Sequence, residues 1–494
     1  MEEVVTKGEP RHMRVAIIGA GFSGIAAAVA LTRRGITDYT MFEESDGIGG
    51  TWWKNRYPGA EVDLESHIYS FSYERNDWTR VYAWWYQLQE YLERVARKWG
   101  ILEHVRFGTR VISAEWLEQD QAYAVSTSAG AEPELFDAVV SAVGFLNIPL
   151  VPPFARGEVA YAGTLCHTST WPDGLSMEGK SVAVVGTGSS AVQVVEVAER
   201  EASHLTIFQL EPNWILPKNS REFAESERRW SRIAPVYYWK RLNLYVGYDL
   251  RQRNSQHARV DGRSNQKRRA SALEYLRSSL VDRPELIPLV TPEFPFEGRR
   301  TVISDTYYQC LKSPNVTLVP QAVTELTSTG VVDAAGDTHD FDIVVLATGF
   351  DAANYLSTFT VKGEGGRDLH EVWEGEPEAY LGLMVPGFPN FFMMYGPNTN
   401  AVPLVSFYQA QGAFIGKVLS HVRANKHLSA VTIKPEAHLR YNTRLQQQLA
   451  KTVWARTSSY FKSGTGKVVS QWPFSASRYI LATRTAPYTA VDYS

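Results

Sequence analysis

The sequence predicts an α/β fold of two parallel-sheet domains, the second carrying a helical insertion. Three observations predict it. Two glycine-rich turns, Gly19-Ala20-Gly21-Phe22-Ser23-Gly24 and Gly186-Thr187-Gly188-Ser189-Ser190-Ala191, each follow a short β-branched run and open a helix-length stretch. A second strand-like run follows each stretch, Tyr39 to Phe42 and His204 to Gln209. Residues 221–290, by contrast, are polar and aromatic with few strand signals, so they read as helical. Each glycine turn with its flanking runs is a βαβ unit, the opening of a Rossmann-like dinucleotide-binding domain.

The elements follow in order. Val15-Ala16-Ile17-Ile18 reads as a buried parallel strand and Ser23 to Arg33 as a helix. The apolar stretch Val15 to Leu31, preceded by Arg11 and Arg14, has the look of a signal-peptide core. Glycines at 19, 21 and 24 and the lack of a small-residue cleavage site argue against that, and the stretch is short for a membrane span. Residues 47–75 are rich in Gly, Trp and Tyr without periodicity and read as a long ordered loop. Residues 84–99 form an amphipathic helix pattern, and strands follow near 105–128 and 136–145. Pro149, Pro152 and Pro153 mark a boundary. The run FDIVVLATGF at 341–350 repeats the style of FDAVVSAVGF at 136–145 and reads as the return into the first domain. The expected division is 1–150 and 341–494 for the first domain, and 151–340 for the second with its insertion at about 221–290.

Composition sets limits on function. With 44% hydrophobic and 21% charged residues, the 494-residue chain can bury a large core. A net charge of −3 gives no electrostatic reason to bind nucleic acid. The short run Gln266-Lys267-Arg268-Arg269 reads as a solvated helix face. Two cysteines, Cys166 and Cys310, make neither a disulfide framework nor a CxxC motif, which fits a reducing cytoplasm. No metal-ligand spacing occurs, no membrane span is expected, and the oligomeric state is not encoded in any readable pattern.

The first turn carries specific chemistry. Gly19 allows the tight turn, Gly21 lets backbone approach a pyrophosphate, and Gly24 permits close helix–strand packing. The backbone N–H groups at Phe22 and Ser23 begin the helix and face the phosphates. Glu43 ends the second strand, where a carboxylate accepts ribose hydroxyls and repels a 2′-phosphate. FAD or NAD therefore suits this turn better than NADP. The second turn is the same device with Ala191 third; Gly186, Thr187, Gly188, Ser189, Ser190 and, one turn on, Gln193 are its candidate contacts. No carboxylate stands at the tip of its ribose strand, although Glu211 lies just beyond, so NADP remains open. Two nucleotide sites in one chain suggest a hydride relay with flavin as the acceptor.

Residues 161–172, YAGTLCHTSTWP, fit a [Phe/Tyr]-x-Gly-x-x-x-His-x-x-x-Trp-Pro fingerprint in Tyr161, Gly163, His167, Trp171 and Pro172. Residues 49–63, GGTWWKNRYPGAEVD, add Gly50, Trp52, Tyr57, Pro58, Gly59 and Asp63; EGRRT (297–301), FQLEPNWILP (208–217), ATGFD (347–351) and MYGPNTN (394–400) are also familiar. On these motifs nearly the whole chain resembles the Baeyer–Villiger monooxygenases, class B flavin-dependent monooxygenases. Trp171-Pro172 separates it from the related nitrogen- and sulfur-oxidising enzymes, which usually lack that pair.

The resemblance implies tightly bound FAD, NADPH as hydride donor, and a ketone and dioxygen as substrates. It adds Gly50, Thr51, Trp52, Asp63, Tyr69 and Asn398 to the candidate cofactor contacts, and Lys218 and Arg299 as cations near the second nucleotide. Trp52 and Tyr69 suit flavin stacking and plain packing equally well. The activated oxygen must stay anionic, shielded and aimed at a carbonyl. An arginine does this because it remains cationic and offers a fork of donors. On residue type alone Arg300 is an ordinary ion-pair arginine; the resemblance makes it the catalytic cation, with Asp63 as its partner. His167 reads as a brace for the linker rather than an acid or base, and Trp171 as core packing.

Two departures stand out. The family usually places an arginine after the Gln that ends the second ribose strand, to hold the 2′-phosphate; here Leu210 stands there, followed by Glu211. NADH use is therefore not excluded. In RTSSYF (456–461), Tyr460 replaces the family's usual Trp. The expected reaction is oxidation of a ketone to an ester or lactone. The alternatives are oxygenation of soft nitrogen or sulfur by the same flavin chemistry, and a flavin reductase or non-oxygenating flavoprotein.

Overall fold

The computed structural model describes residues 11–130, 132–157 and 159–494. Its first sheet is parallel throughout, with Val15–Ile18 at the centre between Tyr39–Phe42 and Ala138–Ser141. Val105–Arg106 and Phe391–Met393 form its edges. Every residue of Val15–Ile18 is buried, as expected of a parallel strand covered on both faces. The helix Phe22–Thr32 packs on the long helix Leu404–Ala424. Gly412 and Gly416 make that approach possible, since a Cβ would sit 2.9 Å from the Ala26 carbonyl oxygen at one and 3.0 Å from that of Ala30 at the other.

The second sheet repeats the design. Ser181–Val185 is central, between His204–Phe208 and Ile343–Leu346, with Val316–Val319 and Thr164–His167 outside. The expected return into the first domain at residue 341 is thus too early. Ile343 pairs with Val182 and Leu346 with Val185, so this buried run belongs to the second sheet. The likeness of 136–145 to 341–350 has a structural cause: the two runs fill equivalent places, each beside the strand that leads into a glycine turn. The chain crosses back just afterwards. Leu150 N donates to Gly349 O at 2.8 Å and Asp351 N to Ile148 O at 3.0 Å, so outgoing and returning linkers lie side by side.

The insertion is helical, as Glu225–Ser231, Ala234–Gln252, Arg263–Ser279 and Leu286–Leu289. It bridges the two cores: Tyr237 and Tyr248 join the first, Leu276 and Leu280 the second. One reading needs correction here. Arg268 is not part of a solvated face but turns inward to an ion pair with Glu297, because a partly buried guanidinium needs a carboxylate. Among the described residues no helix is long and apolar enough to cross a membrane, and no group of three or more His, Cys, Asp or Glu could hold a metal.

Candidate active site

The first glycine turn opens a cleft at the carboxyl end of the first sheet, lined among others by Gly19, Gly21, Glu43, Gly50 and Trp52. Gly19 has φ +105°, and a Cβ there would meet the Ala142 carbonyl oxygen at 2.7 Å, so only glycine fits. The helix Phe22–Thr32 starts at Gly21 without a side-chain cap, leaving its first N–H groups toward the cleft. Glu43 is buried and already fixed: Oε2 accepts from Ala20 N at 2.8 Å and Oε1 from Ser45 N at 2.9 Å. Thr358 lines the same cleft with a buried hydroxyl that has no partner among the described residues. An uncapped helix start, a fixed carboxylate and an unpartnered hydroxyl suit a dinucleotide bearing phosphates and ribose hydroxyls.

Gly50 and Thr51 line this cleft opposite the turn, and a Cβ on Gly50 would lie 3.0 Å from Gly21 Cα. Trp52 and Tyr69 line it too, joined by a Trp52 Nε1 to Tyr69 hydroxyl hydrogen bond of 3.3 Å. Phe22 packs edge-on against Tyr69 at 5.1 Å. Asn398 is buried beyond the cleft lining, donating from Nδ2 to the carbonyls of Val468 and Gln471 at 2.9 and 3.2 Å. Its Oδ1 has no partner among the described residues and remains an acceptor.

The second turn repeats the first. Gly186 has φ +120°, and its Cβ would meet Ala347 O at 2.6 Å, the counterpart of the Gly19–Ala142 contact. Gly188 faces open space, and the helix Ser189–Glu201 starts there without a side-chain cap. Thr187 Oγ1 donates to the Glu211 carbonyl at 2.8 Å, tying the turn to the tip of the ribose strand. The side chains of Ser190 and Gln193 face the first domain instead: the Tyr57 hydroxyl donates to Gln193 Oε1 at 2.7 Å and lies 3.2 Å from Ser190 Oγ. Gln193 Nε2 donates to Glu61 O at 3.0 Å, so this side chain joins the domains rather than facing the nucleotide turn.

Lys218 also departs from expectation. It is buried, ion-paired with Glu61 and packed over the Tyr82 ring at 4.8 Å. Burial forces that ammonium onto a carboxylate and withdraws it from any phosphate. Arg299 pairs with Glu211, and its Nε donates to Ser458 O at 3.0 Å.

The two domains meet at Arg300. Its Nε donates to Asp63 Oδ2 at 3.0 Å, and Nη2 donates to the same oxygen. Gly298 brings this segment against the 457–460 loop, since a Cβ there would lie 2.2 Å from Thr457 Oγ1. The Arg300 side chain remains 36% exposed despite this pairing. Asp63 raises the guanidinium pKa further, against the opposing effect of desolvation, so the charge is permanent. Burial pushes the phenols of Tyr57, Tyr69 and Tyr460 up to about 12, which keeps them neutral donors near this pair. Tyr395 is within electrostatic reach of Arg300 and packs edge-on against Tyr408, which lines the first cleft, at 5.4 Å. The cation is thus within electrostatic reach of Tyr69, which lines the cleft, and of Tyr395, which packs on the cleft-lining Tyr408. Glu61, Tyr395 and Tyr408 were not singled out from sequence; Glu61 and Tyr395 lie inside the motif stretches 49–63 and 394–400, where their neighbours were the signal.

His167 braces the linkers. Ser169 N donates to Nδ1 at 3.1 Å, so Nε2 carries the proton and donates to Gly349 O at 3.1 Å. Burial lowers its pKa, favouring this neutral form. Gly163 is required by a close approach, its Cβ position being 2.4 Å from Asp342 O. Trp171 packs half-buried on the second core. Pro172 O accepts from Leu175 N at 3.2 Å in the turn that follows.

Comparison with known proteins agrees with this arrangement. Residues 12–225 match the model of the flavin-binding monooxygenase-like family. A Baeyer–Villiger monooxygenase of Pseudomonas aeruginosa is 34% identical, the alignment covering 97% of this chain and 91% of the relative. A phenazine N-monooxygenase of Lysobacter antibioticus is 30% identical over 91% of this chain and 90% of that one. The crystal structure of cyclohexanone monooxygenase from Rhodococcus bound to NADP+ superposes with a TM-score of 0.87 at 28% identity, covering 98% of this chain and 100% of that one. This chain therefore belongs to the class B flavin-dependent monooxygenase family that includes the Baeyer–Villiger monooxygenases.

Proposed function

We propose that this enzyme is a Baeyer–Villiger monooxygenase, inserting one oxygen atom of dioxygen beside a ketone carbonyl to give an ester or lactone, with NADPH as hydride donor. The observation that carries the reading is the Arg300–Asp63 pair, within electrostatic reach of the cleft-lining Tyr69. FAD bound in that cleft supplies the activation of dioxygen. The protein's own residues do the rest. Glu43 and the helix start at Phe22 hold the flavin nucleotide, and the turn Gly186-Thr187-Gly188 holds the nicotinamide one. Asp63 fixes two nitrogens of Arg300, which leaves Nη1 to face negative charge as it develops on the carbonyl oxygen. Such preorganised donors are worth about 10²–10³ in rate. The neutral phenols of Tyr69 and Tyr460 add no competing anion. The domain division follows the paired linkers, with the return after Leu346.

Similarity to a phenazine N-monooxygenase supports a second reading, oxygenation at nitrogen. The two readings separate when the FAD-loaded enzyme and NADPH are offered ketones, thioethers and heteroaromatic amines together. Esters or lactones as main products support the proposal; N-oxides or sulfoxides alone overturn it.

A further inference from the structure

Beyond the second ribose strand the chain carries a carboxylate, and both cations expected beside it are already paired. Leu210, at the tip of the ribose strand, is 77% exposed and offers no donor. Glu211 follows it, joined through its carbonyl to Thr187 of the glycine turn. Of the two cations expected here, Lys218 is buried against Glu61, and Arg299 is held by the Glu211 carboxylate, the Ser458 carbonyl and the Phe294 ring at 4.8 Å. A 2′-phosphate adds about two negative charges at neutral pH and needs at least one free cation. Just beyond this tip it meets the Glu211 carboxylate, whose guanidinium partner among the described residues, Arg299, is already neutralised. A 2′-hydroxyl instead donates to a carboxylate near the end of a ribose strand, the recognition typical of NAD, and Glu211 lies close enough along the chain to take that part.

We infer that the Glu211–Arg299 pair sets the nicotinamide preference of this enzyme, so that NADH serves alongside NADPH and its dinucleotide binds at least as tightly. The inference rests on the reading that the second glycine turn holds a nicotinamide dinucleotide. Glu211 is the specificity-determining residue, and Arg299 acts through it.

Isothermal titration calorimetry of the FAD-loaded enzyme with NAD+ and NADP+ tests this without turnover. NAD+ is expected to bind as tightly as NADP+ or tighter. Glu211→Gln frees Arg299 and is expected to tighten NADP+ about tenfold while weakening NAD+. Leu210→Arg adds a cation at an exposed position that tolerates it, and is expected to tighten NADP+ in the same direction. Wild-type NADP+ binding tenfold tighter than NAD+, or a ratio unmoved by Glu211→Gln and Leu210→Arg, overturns the inference. Failure to bind either dinucleotide overturns the reading of the second turn as well. Loss of ester formation with the binding ratios as expected would count against the Baeyer–Villiger reaction alone.

Discussion

Asp63 and Arg300 are joined across the boundary between the two domains, one carboxylate oxygen accepting from both Nε and Nη2. The pair does two things. It fixes two of the guanidinium nitrogens in place, and it fastens the 49–63 loop to the second domain. Arg300→Ala is therefore expected to lower ester formation by at least about 10²-fold. NADPH oxidation should continue, with hydrogen peroxide in place of ester, because neither nucleotide turn is touched. Gas chromatography of products beside a peroxide assay checks this; ester formation within threefold of wild type would remove Arg300 from the mechanism.

Flavin retention should depend on Glu43. Its two oxygens are pinned by Ala20 N and Ser45 N, so the carboxylate meets the ribose already oriented. Glu43→Ala removes charge-assisted hydrogen bonds worth about 1.5–3 kcal/mol each. The expected result is at least about a tenfold loss of FAD affinity, read as flavin absorbance per protein after gel filtration.

Much of this was legible in the sequence, and the reasons are local. The glycine turns announce themselves because positive φ at Gly19 and Gly186 admits no other residue beside the Ala142 and Ala347 carbonyls. Asp63 and Arg300 were named through the family resemblance of the 49–63 and 297–301 stretches, the second shortened by one residue, and the structure pairs them. The place of 341–350 was not, because a buried parallel strand has the same β-branched appearance in either sheet, and only pairing decides. Lys218 and Gln193 were misplaced for a related reason. Residue type announces a cation or an amide, but its partner, here Glu61 or Tyr57, comes from a distant segment.

Gly59 couples the domains. It has φ +84°, and a Cβ would lie 2.6 Å from the Gln193 carbonyl oxygen. Gly59→Ala is expected to push the Ser189–Glu201 helix away from the 57–61 loop. Flavin content should stay near wild type while flavin reduction by NADPH slows by about tenfold or more, since small misplacements of reacting groups cost up to about 10² in rate. Stopped-flow absorbance under anaerobic conditions reads the reduction step directly.

Acid stability should carry the mark of His67. Burial, with Lys240 and Arg241 nearby, lowers its pKa to about 3. The unfolded chain takes up a proton there below about pH 6.5, and the folded chain does not until near pH 3. This residue therefore removes stability as pH falls through that window, by about 1.4 kcal/mol per pH unit. His67→Phe keeps the packing against Phe223 and Tyr237 and has no proton to gain. Its unfolding midpoint in urea should fall less between pH 7 and pH 5 than that of the wild type. Parallel curves for the two proteins would contradict the assignment.

The central claim is oxygen insertion at a ketone. It is tested most directly by turnover of a ketone panel under oxygen-18 gas with the FAD-loaded enzyme and NADPH. The account predicts an ester or lactone carrying one oxygen-18 atom in the inserted position and none in the carbonyl. NADPH consumption that yields no labelled ester or lactone from any ketone would contradict it.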